Sequence, residues 1–171
     1  MSTRAKWWIF VLVSLAIIVG LSGVQHFIYD LAPNPFFALF APISESVWEH
    51  LKIVFYPFVF VWLISCFVIR KHLNVGAKEM LFATALGATT ACVLTVFLFY
   101  LIHSGLGIVQ NSIIEIGVET ASIFVGQLVA WHIAKNSKQI SPIVSISVIF
   151  VWVVAFIVFS FITPNAPMFI E

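Results

Sequence analysis

The chain has 171 residues, 62% of them hydrophobic and 9% charged, with a mean hydropathy of +1.12. Soluble domains carry about 25% charged residues, so a soluble globular protein and a disordered one are both excluded, and lipid is the expected solvent. The net charge is +1, from eight Lys+Arg against seven Asp+Glu. That leaves no basic surplus for a nucleic-acid footprint.

Runs of about 20 apolar residues mark helices long enough to span a bilayer, and they predict an all-α, polytopic protein with five such helices in one domain over residues 1–171. The first covers about residues 7–29. Arg4 and Lys6 precede it, as in a secretory signal. Its apolar core is longer than the roughly 7–15 residues of a signal and ends on His26 and Asp30, so a retained span is expected. Residues 31–45 follow, with Pro33, Asn34, Pro35 and Pro42 among Phe36, Phe37, Leu39 and Phe40. Such a segment lies in the interface or folds back over the helix ends. The second span, about residues 46–69, holds Pro57, which should kink it or free a carbonyl. The third, about residues 79–103, carries Ala83-x3-Gly87-x3-Ala91, a stripe that lets another helix approach closely and offers a route to oligomerisation. The fourth and fifth cover about residues 113–134 and 142–162. Cys66 and Cys92 have no metal-ligand spacing and read as buried thiols. Trp7, Trp8, Trp48, Tyr29 and Tyr56 read as interfacial belt aromatics.

Basic residues predict the orientation. Arg4 and Lys6 precede the first span, Arg70, Lys71 and Lys78 join the second to the third, and Lys135 and Lys138 join the fourth to the fifth. The other connections hold no Lys or Arg. The positive-inside rule then gives a cytoplasmic N-terminus and an external C-terminus.

On that topology the ionisable groups form an outer layer. His26 and Asp30 end the first span, Glu45, Glu49, His50 and Lys52 begin the second, His103 closes the third, and Glu115 and Glu119 open the fourth. His26/Asp30, Glu45/Glu49 and Glu115/Glu119 are each four residues apart, on one helix face. A charge at the bilayer centre costs roughly 2.5–3.5 kcal/mol. The cheap arrangement turns these groups inward around a shared pocket. Imidazoles and carboxylates at one level suit a divalent metal, zinc above others, with one position kept for water. His26, Glu45, His50, His103 and Glu119 are the candidate ligands. Glu49, Lys52 and Ser46 are candidates for base, anion stabiliser and hydroxyl, with Asp30 and Glu115 as orienting groups. No H-E-x-x-H or other metal-selective spacing is present.

Plainer roles compete for the same residues. Ser46-x-x-Glu49 and Ser112-x-x-Glu115 both fit a capping box at a helix start. Glu49 with Lys52 fits a simple ion pair, and His132 fits a helix C-terminus. Glu119 resists such readings, because it lies about two turns into its span.

The stretch Gly23-Val24-Gln25-His26-Phe27-Ile28-Tyr29-Asp30, then Asn34-Pro35, then Pro42 to Lys52 (P-I-S-E-S-V-W-E-H-L-K), resembles a bacterial family of small, uncharacterised, five-span membrane proteins. That family's signature is H-F-x-Y followed by N-E-S-x-W-E-H-x-K. The tail Thr163-Pro164-Asn165-Ala166-Pro167-Met168-Phe169 also resembles the family's Pro-rich end. Ser44 stands where the family usually has Asn. The resemblance implies that His26, Glu45, Ser46, Trp48, Glu49, His50 and Lys52 belong to the shared motif, and that the outer face carries the function. It implies no activity and names no substrate.

The leading expectation is a protein of the bacterial cytoplasmic membrane with an outward-facing His/carboxylate pocket. That pocket would bind a divalent metal and hydrolyse or modify a lipid or envelope substrate. A proton- or ion-coupled transporter is the first alternative, using the same groups as a relay. A non-catalytic accessory, immunity or assembly partner is the second.

Overall fold

The computed structural model describes residues 2–138 and 141–169; Glu171, one of the seven acids, lies outside them. Helix α1 spans Thr3–Leu31, the short α2 Pro35–Ala38, α3 Val47–Val68 and α4 Ala77–Tyr100. Helix α4 runs on into a π turn at Leu101–Gly105. Helices α5 (Ser112–Asn136) and α6 (Pro142–Phe161) follow, and a 3-10 turn, Pro167–Phe169, closes the chain. There is no strand among the described residues. The five long helices are each apolar and long enough to cross a membrane, as the hydropathy requires.

Polar caps set where the helices begin. Ser2 accepts from the Ala5 amide, Ser46 from the Glu49 amide, and Ser141 from the Ile143 amide. Pro142 follows the last of these at the first helical position, where its missing N–H costs nothing. At α5 the cap is Asn111, which accepts from Ile113, one residue before the expected Ser112. An Asn amide oxygen does the same work as a hydroxyl there.

Helix α4 sits centrally and touches α3, α5 and α6, while α1 packs on α3 and α5. Small residues bring α4 and α5 together. A Cβ placed on Gly87 would lie 2.7 Å from the Ala130 Cβ and 2.9 Å from the Gly126 carbonyl oxygen. The Ala83/Gly87/Ala91 stripe is therefore filled by α5 and α3 of the same chain. Its close approach serves the fold of the monomer.

Pro57 frees a carbonyl, as expected. A proline cannot donate to the residue four back, which here is Ile53. The Ser22 hydroxyl of α1 donates to the Ile53 oxygen at 2.6 Å and replaces the lost helical bond.

Contacts identify the two ends of the bundle. At one end Trp7 stacks on Trp131 at 5.8 Å and meets Trp62 at 6.5 Å, which joins the start of α1 to the ends of α3 and α5. The clusters Arg4/Lys6, Arg70/Lys71/Lys78 and Lys135/Lys138 share this basic end. At the opposite, acidic end, the close of α1 meets the start of α3. Phe169 also packs there, on Trp48 at 5.1 Å. Trp7 and Trp48 are buried and form part of the core, so they are not belt residues; Trp8 does stay at the surface. Cys66 and Cys92 are free, buried thiols.

Candidate functional site

The acidic end is organised by a buried ion pair. Lys52 is fully buried, and its ammonium donates to Glu49 Oε2 at 2.6 Å, to the Ala38 carbonyl at 2.7 Å and to the Ala41 carbonyl at 3.3 Å. An ammonium has three protons to give, so nothing is left over. Glu49 Oε2 also accepts from the Ile43 amide at 2.9 Å, and Oε1 accepts from the Ser160 hydroxyl of α6 at 2.6 Å. These bonds hold residues 38–43 down onto α3 and tie α3 to α6. Gln25 adds a clamp from α1, donating to the Phe40 carbonyl at 2.5 Å and to the Lys52 carbonyl at 3.3 Å. The segment after α1 does fold back over the helix ends. Asn34 starts α2 by accepting from the Phe36 and Phe37 amides. The capping box at Ser46 is half made, because the Glu49 carboxylate goes to Lys52, Ile43 and Ser160 instead.

Two residues beyond Ile43, this clamped segment presents Glu45. Its carboxylate lies 3.4 Å from His50 Nε2 and 3.9 Å from His26 Nε2. One ligand atom from each of His26, Glu45 and His50 lies within 4.8 Å of the others. The two imidazole rings are 5.3 Å apart. His50 Nδ1 lies 3.1 Å from the Ser46 carbonyl. A carbonyl only accepts, so Nδ1 carries a proton there, and Nε2 is the ring atom that faces Glu45. Metal-ligating histidines are commonly held in this way. Zinc bonds of about 2.0–2.1 Å to nitrogen and oxygen put tetrahedral ligands roughly 3.4 Å apart. The His50–Glu45 separation has that value, while the His26 contact, made to the other carboxylate oxygen, is longer at 3.9 Å.

A cavity of about 630 Å³ opens beside this group, between α1, α3 and α5. His26, Glu45, His50, Glu115 and Glu119 line its polar part, with Ser112 and Thr120. Val19, Gly23, Phe27, Ile53, Ile116 and Ile123 line the rest. Glu119 has no hydrogen bond or ion pair among the described residues, and it also faces a smaller space against α4 beside Thr95 and Phe99. The structure thus gathers five expected site residues around one cavity.

The other candidates lie apart. Glu49 and Ser46 line a separate space of about 410 Å³ under the C-terminal turn, and Lys52 is sealed inside the protein. His103 sits in the π turn, where Nδ1 donates to the Ile108 carbonyl at 2.8 Å and the ring packs on Phe99 at 4.6 Å. It does not line the large cavity. Asp30 is exposed on the last turn of α1 and does not line it either. Sequence reasoning overlooked Gln25, Ser160 and Ser22. Their signal was a lone polar residue in an apolar helix, which marks a need for a partner without naming it.

A family model described as a family of unknown function (DUF6512) matches residues 1–171. The chain belongs to this family. No curated protein and no solved structure matches it significantly.

Proposed function

We propose that this protein binds a divalent cation, zinc by preference, through His26, Glu45 and His50, and hydrolyses a bond in a lipid or envelope molecule at the outer face of the bacterial cytoplasmic membrane. The observation that carries this reading is the convergence of those three side chains at one wall of the cavity. Two imidazoles and one carboxylate leave a fourth position for water. The cation would supply a water whose pKa falls toward neutrality. The chain's own residues do the rest. Glu119, with no hydrogen bond or ion pair among the described residues and on the facing wall, would take the proton as the water oxygen bonds to the ester carbon or phosphorus. It would return that proton to the departing oxygen as the old bond breaks. Glu49 and Lys52 would act as positioning residues, because they hold the segment that carries Glu45.

The rule that places basic loops inside supports an outward-facing site. The stacked aromatic residues at the basic end favour a pocket closed at its far side over a path through the membrane.

Elemental analysis of the purified full chain, equilibrated with zinc and then freed of excess, tests the reading. About one ion per chain is expected, with His26→Ala and His50→Ala losing it and Glu119→Gln keeping it. A chain without bound metal, or metal retained in His50→Ala, overturns it.

A further inference from the structure

The shape and polarity of the large cavity say what kind of molecule it admits. Its α1 wall runs from Phe27 down to Val19, about 12 Å of helix at 1.5 Å per residue. Its α5 wall runs from Ser112 to Ile123, about 16 Å. Polarity falls along this axis. The imidazoles and carboxylates sit toward the acidic end, and Val19, Ile53 and Ile123 form the deep end. Ser22, the polar side chain nearest that floor, spends its proton on backbone carbonyls.

The cavity also opens sideways. Helices α1 and α5 are joined at the basic end by Trp7 and Trp8 against Trp131, and lower in the bundle by the Ser14–Gln127 hydrogen bond. Above that pair the cavity lies between them. Wall residues from both helices, Gly23 and Phe27 on α1 and Ile116 on α5, are exposed at its mouth. A Cβ added at Gly23 would meet nothing within 4 Å. In a five-helix membrane protein an opening at this height faces hydrocarbon, not water.

We infer that the occupant is a membrane amphiphile that enters from the bilayer between α1 and α5. It lays a hydrocarbon chain on Val19, Gly23, Phe27, Ile116 and Ile123 and leaves its polar linkage beside His26, Glu45 and His50. Within the proposed hydrolytic reading, which it deepens and relies on only for the role of the polar end, this makes the substrate a lipid. Three carboxylates and no Lys or Arg line the cavity, so a zwitterionic or uncharged lipid suits it better than an anionic one.

The full chain in vesicles of phosphatidylcholine, doped with a phosphatidylcholine bearing a photoactivatable diazirine at the end of one acyl chain, provides the test. Ile123 lines the cavity and, at 1% exposed, is shielded from bulk lipid. Phe150 on α6 is exposed to bulk lipid and serves as the internal standard. The expected result is adducts at Ile123 and Val19, reduced about tenfold in Gly23→Trp, which places a bulky ring at the mouth, while labelling at Phe150 is unchanged. No adduct at Ile123, or equal labelling in Gly23→Trp, overturns the inference. Replacing the carrier and probe by phosphatidylglycerol should weaken the Ile123 signal, and a stronger signal overturns the headgroup assignment. Zinc content measured on the same sample separates the two proposals. Labelling without metal keeps the lipid site and removes the hydrolase, and metal without labelling does the reverse.

Discussion

Two groups of ionisable residues share residues 45–52, at the start of α3, and behave oppositely. Glu49 and Lys52 are almost wholly buried, and each makes three hydrogen bonds within the protein. Glu45 and His50 belong to the same stretch of chain, yet the Glu45 side chain is 70% exposed and His50 turns its Nε2 toward Glu45 beside a cavity. Residue type does not separate the groups, since each pairs an acid with a base. What separates them is burial. The first group closes three pieces of the structure together. The second is held in place by that closure at the wall of a cavity.

The largest effect should come from breaking the closed group. Lys52→Met leaves the Glu49 carboxylate buried without its cation and should cost about 3–5 kcal/mol, read as thermal unfolding in detergent. The double variant Lys52→Met with Glu49→Gln should recover part of that loss. If the double variant is as unstable as the sum of the two single ones, the pair is not coupled and the comparison fails. Opening the second group should do the reverse. His50→Ala should weaken zinc binding by more than about 100-fold and leave the unfolding temperature close to that of the parent, measured by metal competition and thermal scanning. A large drop in stability would make His50 a structural residue like its neighbour.

A smaller effect is expected at the edge of the closed group. Ser160→Ala removes one of the donors to Glu49 and should destabilise by about 1–3 kcal/mol, with zinc binding retained. The smallest is expected at His103, whose Nδ1 donates to the Ile108 carbonyl, whose ring packs on Phe99, and which does not line the large cavity. His103→Gln should leave zinc affinity within about twofold of the parent. A loss comparable to that of His50→Ala would bring His103 into the ligand set and redraw the boundary between the two groups.

Both groups were visible in the sequence as one layer of charge, and so was the spacing that put each pair on a helix face. The division within the layer was not visible. The i, i+3 spacing of Glu49 and Lys52 fits an ion pair and a catalytic pair equally well. It took Ser160, distant in the chain, and the carbonyls of Ala38 and Ala41 to show which role the local geometry supports. The small-residue stripe was ambiguous in the same way. Spacing predicts a close approach by a helix, and α5 of the same chain makes it.

The sequence by itself determined the five apolar helices, their approximate ends, the Pro57 defect and the gathering of acids and histidines at one end of the bundle. Each of these follows from local chemistry, from hydropathy summed over a span, a missing N–H, or the cost of charge in hydrocarbon. The tertiary structure alone decided that Ser22 repairs the defect, that Trp7 and Trp48 enter the core, and that His26, Glu45 and His50 converge while His103 stands aside. It also shaped the amphipathic cavity between α1 and α5. Those outcomes depend on which helices touch and at what height, and a pattern of residues along a single helix carries no information about the face its neighbour presents.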